Sequence, residues 1–247
     1  MSGLSRSSRL LKNAEAALIS AIEIYNKPAF AYREETFSIL ALNAWELLLK
    51  AKLLEANQNK VRCLHIYSTR ELAPGRQSKK LYIKRNRTGN KMTLGIDACI
   101  GKLENEKVVV PEPVKKNLAA LAEVRDNAIH FINASPRLSK QILEIGTACL
   151  RNFIELGKQW MGLDLSGYSL YLMPIGFLPS VESATAVTLS EDEQNVVNYL
   201  ANSVTNPSRR KLFLFTSIQN PRGVTPRPTT HYPLPTAISR AIVSHSP

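Results

Sequence analysis

The stretch FSILALNAWELLLKAKLLEAN, Phe37–Asn57, is apolar on almost every side of a helix. An amphipathic helix on a protein surface keeps one polar face, so a helix without one belongs at the centre of a bundle. Its few polar residues form a pattern. Asn43, Glu46 and Lys50 are three and four apart, which aligns them in one narrow line along the helix. The helix is expected to begin near Arg33.

The flanking sequence supplies partners for such a helix. Ser8 to Asn26 repeats apolar residues at helical spacing (Leu11, Ala14, Leu18, Ala21, Ile22) and meets Pro28. Ile96 to Glu106 predicts a short helix. A further helix runs from Pro113 or Val114 to about Ile132. NASP breaks the chain, with Ser135 placed to cap and Pro136 at the first position of a last long helix, Pro136 to Met161. That helix carries Ile142, Ile145, Cys149, Phe153, Leu156 and Trp160. Short links between long helices favour antiparallel neighbours, so the fold class expected is an all-α bundle of four to five helices.

Between these helices, residues 58–95 change character. HIY, KKLYIKR and KMTLG have strand composition, and RNRTGNK between the last two has turn chemistry, which predicts a small β-hairpin insertion. This insertion holds 10 Lys and Arg against one acid. The segment 207–247 holds 6 and no acid, although the whole chain has a net charge of +12. The rest of the chain is therefore mildly acidic, and the positive charge sits on two appendages. Concentrated cations of this kind suit a polyanion such as RNA. Residues 1–165 are expected to form the bundle and 166–206 an extension with one short helix, capped at Ser190 with Glu193 completing a capping box. Residues 207–247, with 7 of the 14 prolines, read as an irregular tail.

No stretch is long and apolar enough to span a membrane, and MSGLSRSSRLLKNAEAAL lacks an uninterrupted signal-peptide core, so a soluble cytoplasmic chain is expected. Cys63, Cys99 and Cys149 have no motif spacing and read as reduced thiols. His65, His130 and His231 are far apart with no ligand spacing, so no metal and no cofactor are expected.

The chemistry concentrates in LAEVRDNAIHFIN, Leu121–Asn133. At about 100° per residue, Leu118, Leu121, Ala122, Ile129 and Ile132 fall within roughly 60° of Arg125. An arginine in an apolar stripe needs a partner, because an unpaired charge there is costly. Three partners suit it: a carboxylate from another helix, with Glu46 the best placed, a dimer partner, or a ligand phosphate. His130 lies four residues after Asp126, close enough for the carboxylate to orient the ring and raise its pKa. Asn127 adds an uncharged donor and acceptor.

R-D-N-A-I-H, Arg125–His130, resembles the R-x-x-x-x-H motif of HEPN domains (higher eukaryotes and prokaryotes nucleotide-binding), with Asp126 as the polar residue after the arginine. AWELLLKAKLL is similar to the HEPN helix that carries a glutamate in an apolar run. The helix order, the basic insert and VPEPVKKNLAALAEVRDNAIHF resemble the bacterial proteins grouped as domain of unknown function 3644, over about residues 5–175. The same letter pattern in Arg240–His245 has no bundle around it and is read as a chance match. Ile132 stands where HEPN proteins paired with a nucleotidyltransferase antitoxin often carry tyrosine, so no antitoxin or regulator is assigned.

The resemblance implies an antiparallel HEPN-like bundle that dimerises. It also implies a metal-independent endoribonuclease of the kind found among toxins and anti-phage defence effectors, or else a non-catalytic RNA-binding or dimerising module. In the catalytic case Arg125 would stabilise the scissile phosphate and His130 would serve as general acid or base. Asp126 and Asn127 would orient them, and Glu46, Asn43 and Lys50 would give support. The products would be a 2′,3′-cyclic phosphate and a 5′-OH. RNA, tRNA or another structured RNA, would lie on Lys79, Lys80, Lys84, Arg85, Arg87 and Lys91, with Tyr82 as a stacking platform.

Overall fold

The computed structural model describes residues 3–27, 29–130, 136–168, 170–172 and 195–200; for 127–130 and 136–140 the helical backbone alone is described. The described residues are mainly helical and belong to one compact unit. Helix α1 spans Arg6–Tyr25 and α2 spans Arg33–Ala56. A 3-10 turn at Val61–Leu64 leads into four short strands: β1 Tyr67–Ser68, β2 Glu71–Ala73, β3 Arg76–Gln77 and β4 Tyr82–Ile83. Helices α3 (Ile96–Asn105), α4 (Glu112–His130) and α5 (Pro136–Met161) follow.

Helix α2 sits at the centre, as its all-round apolarity demands. Phe37, Leu42, Trp45, Leu48, Leu49, Leu53 and Leu54 are all buried, and α2 packs against α1, α3, α4 and α5. The Ser7 N–H donates to Asn59 Oδ1 just past the end of α2, so α1 and α2 run antiparallel. Helix α5 runs parallel to α2 instead. Phe37 meets Gly146, the Trp45 indole donates to the Cys149 carbonyl at 3.2 Å, and Lys52 Nζ donates to the Trp160 carbonyl at 3.2 Å. Trp45 also packs edge-on to Phe153, centroids 5.4 Å apart. The bundle thus contains a parallel pair at its core as well as antiparallel neighbours.

Most helix boundaries follow the sequence signals. Helix α1 is capped by Ser5, whose hydroxyl accepts from the Ser8 N–H at 3.1 Å. Helix α5 is described from Pro136 onward. Of the helix expected at 190–202, residues 195–200 are described and helical, with Val196, Val197 and Leu200 buried in the common core. Ser190, Glu193, Ser135 and the segment 207–247 with its Arg240–His245 match lie outside the described residues.

The insertion is more elaborate than one hairpin. Strand β1 pairs with β4 and β2 with β3, both antiparallel, so a small hairpin is nested inside a longer one. Bridges between His65 and Thr93 and between Arg85 and Lys91 extend the outer ribbon. The chain enters it from α2 through Gln58 and Asn59, both left-handed at φ 54° and 59°. ELA and RQ have few strand-favouring residues, and the tight Pro74–Gly75 turn pairs them.

Two glycines separate packing from propensity. A Cβ at Gly146 would lie 2.3 Å from Cε1 of the fully buried Phe37 ring, whereas one at Gly101 meets nothing within 4 Å. Both lie inside helices, where alanine is favoured by roughly 1 kcal/mol. Gly101→Ala should therefore raise stability by about 0.5–1 kcal/mol, while overpacking should make Gly146→Ala lose about 1–2 kcal/mol net. Urea melts of the two variants check this, and equal shifts would contradict the close approach.

Candidate functional site

The buried face of α4 is Val114, Asn117, Leu118, Ala120, Leu121 and Val124. Its centre lies on the Asn117–Leu121 side of the helix, so Arg125 falls on the flank. Its side chain is 36% exposed, Nε donates to Asp126 Oδ1 at 2.8 Å, and Nη2 forms an ion pair with the same oxygen at 2.8 Å. The carboxylate that pairs Arg125 is thus Asp126, its neighbour in the chain. Glu46, the cross-helix partner expected from sequence, accepts instead from Lys50 Nζ at 2.5 Å. The arginine therefore poses no burial problem. The wheel that placed it mid-stripe left out Ala120 and Val124, which pull the buried face away from it.

Helix α4 is described to His130, so Arg125 and His130 lie on one helix. The side chains of Asn127 and His130, and all of Ile132, lie outside the described residues. Asn117, buried on the same helix, was not anticipated. Its Nδ2 has no hydrogen-bond partner among the described residues.

The polar line of α2 is a tether. Lys50, buried within the bundle, donates to Glu46 and also to Thr93 Oγ1 at 2.9 Å. Thr93 bridges to His65 at the base of the ribbon. Asn43 is exposed one turn away on the same line. Glu46 and Lys50 are therefore brought together, and they hold the insertion against the core.

On the ribbon, Lys79, Lys80, Lys84, Arg85, Arg87 and Lys91 are all exposed. None of the insertion's cations is ion-paired to a carboxylate among the described residues. The one acid, Glu71, accepts from the Gly75 N–H at 3.0 Å in the β2–β3 turn. Asn86 Oδ1 accepts from the Thr88 and Asn90 N–H groups, which shapes the loop presenting Arg87. The Arg70 guanidinium lies over the Tyr82 ring, 4.1 Å from the centroid.

A groove of about 340 Å³ opens between α1, α5 and residues 170–172, lined by Ile22, Leu150, Ile154 and Tyr171 among others. None of the site residues expected from sequence lines it. Cys63, Cys99 and Cys149 are free thiols. Burial pushes Cys99 up to about 11 against the pull of Lys50, and burial raises Cys149 as well. Neither thiol is a thiolate near neutrality.

The family described as Domain of unknown function (DUF3644) matches residues 9–208. The chain is a mainly helical protein, and it belongs to that family. No curated protein and no solved structure matches the chain. Among the described residues no helix is long and apolar enough to cross a membrane.

His65 gives this region a pH signature. It is buried, its Nδ1 has no partner among the described residues, and burial followed by Lys91 and Lys102 lowers its pKa from 6.5. The unfolded chain then binds the proton more readily than the folded one. Its contribution to stability is full above the unfolded pKa and is lost as pH falls from there through the folded pKa. Between about pH 7.5 and 5.5 the wild type should lose more stability than His65→Gln. Denaturant melts across that range test it, and parallel curves would count against a buried neutral His65.

Proposed function

We propose that this protein binds RNA and cleaves it as a metal-independent endoribonuclease of the HEPN type, with the α4 terminus as the cutting site. The observation that carries the reading is the guanidinium of Arg125, presented on the rim of the same helix that carries His130. The uncompensated cations of the ribbon support the choice of RNA as ligand.

RNA brings its own nucleophile. The 2′-OH attacks the adjacent phosphorus, the P–O5′ bond breaks, and a 2′,3′-cyclic phosphate and a 5′-OH result. His130 takes the 2′-OH proton or supplies one to the leaving oxygen. Arg125 stabilises the charge growing on the phosphoryl oxygens. Asp126 fixes Arg125 through the Nε hydrogen bond and the ion pair at Nη2, and the N–H groups of Nη1 are the donors for phosphate. Asn127 orients His130 or the phosphate. Glu46, Lys50 and Asn43 act at a distance from this chemistry, by anchoring the ribbon. A homodimer would bring two α4 termini to one strand, in the manner of a toxin or an anti-phage defence effector.

A non-catalytic RNA-binding module is the second reading. The Arg125–Asp126 pair favours it, because a neighbouring carboxylate already neutralises much of the guanidinium charge.

Full-length protein incubated with tRNA or total RNA in EDTA separates the two. The wild type should yield 2′,3′-cyclic phosphate ends, and His130→Ala should cut at least ~100-fold more slowly. Arg125→Ala should lose cleavage yet cost less than ~1 kcal/mol of stability, as expected for a surface ion pair. RNA binding without cleavage by the wild type establishes the second reading, and undiminished cleavage by His130→Ala rules out the first.

A further inference from the structure

The ribbon holds one arrangement that the count of its charges does not explain. Ser78 is buried within an otherwise exposed loop. Its Oγ accepts from the Arg70 N–H at 3.0 Å and donates to the Lys80 carbonyl at 2.7 Å, while its own N–H donates to the Arg70 carbonyl at 2.7 Å. One serine thus pins residues 70 and 80 together across the inner hairpin. Above that hub, the Arg70 guanidinium covers the Tyr82 ring at 4.1 Å and Lys80 Nζ stands 5.8 Å from the same centroid. Tyr82 is itself held in the ladder opposite Ser68.

A guanidinium lying on an aromatic ring has a second flat face, turned away from the ring. It keeps edge N–H donors as well. Such a stack offers a platform for a planar base and, at its edge, donors for the adjoining phosphate. The nearest acid in sequence, Glu71, is engaged in its own turn and does not neutralise Arg70. A base inside a duplex has both faces occupied, so only an unpaired base can use the platform. A cluster serving charge alone would need neither the ring nor the buried serine.

We infer that Arg70, Lys80 and Tyr82 form a stacking clamp, pre-shaped by Ser78, for one unpaired base and its phosphate in a single-stranded nucleic acid. The inference rests on the nucleic-acid-binding half of the function proposed above and not on cleavage.

Fluorescence anisotropy with full-length protein tests it, using a mixed-sequence RNA 12-mer, the matching DNA 12-mer and the RNA duplex. EDTA and a non-cleavable 2′-O-methyl version of the RNA remove any effect of cutting. The wild type should bind single strands more tightly than duplex. Tyr82→Ala and Arg70→Lys should each weaken single-strand binding by about tenfold and leave duplex binding within about twofold. The lysine keeps the charge and loses the flat face, so the pair distinguishes stacking from ion pairing. Tyr82→Ala should leave the salt dependence unchanged, whereas Lys79→Ala should lower the slope of log K against log salt by about 0.7. Tyr82→Phe retains the ring and should bind as the wild type, which controls for folding. A preference for RNA or for DNA names the strand, and either supports the clamp. Equal losses on duplex and single strand, or no loss in Arg70→Lys, overturn the clamp and leave RNA binding standing. Wild-type protein that binds no oligonucleotide overturns both.

Discussion

Lys50 brings a charge into the bundle, and much of the architecture follows from how that charge is satisfied. Helix α2 packs against four other helices, and Lys50 lies on a buried part of its surface. Glu46 one turn earlier supplies the countercharge and Thr93 supplies a neutral acceptor. An ammonium buried without such partners would oppose folding strongly. Because Thr93 belongs to the base of the ribbon, satisfying the core helix requires the insertion to dock. Bundle and insertion are thus coupled by a polar contact, in addition to the apolar contacts of Leu64 and Leu94 with the common core.

The helices were readable because each is long enough for its apolar repeat to exceed the noise of single residues. The central place of α2 was readable for a different reason: apolarity in every direction has one structural solution in a bundle. The parallel run of α5 beside α2 was not readable. It depends on local fit, such as Gly146 admitting the Phe37 ring, and such fit is not written in periodicity. The nested hairpin was half visible, since its outer strands carry strand composition and its inner ones do not.

At the candidate site the sequence placed Arg125 and His130 on one helix, as the structure does, and overstated the predicament of Arg125. A helical wheel weights each apolar letter equally, whereas the bundle buries a face chosen by the neighbours of α4. Val124 went in and Arg125 stayed on the rim. The Arg125–Asp126 contact joins adjacent residues, a spacing at which a wheel predicts no meeting. Long flexible side chains reach where Cβ directions do not. Ser78 and Arg70 escaped notice for the opposite reason: a serine and an arginine in a basic loop look like solvated surface until hydrogen bonds across eight residues join them.

The two ends of the ribbon meet. His65 and Thr93 pair in an antiparallel bridge, and the Leu94 N–H donates to the Leu64 carbonyl at 2.9 Å. Whatever the chain does between those residues, it leaves and re-enters the bundle at one point. The length and sequence of the excursion are therefore decoupled from helix packing. A change in its length need not move α2 or α3, because both ends of the excursion stay tied to each other at the bundle.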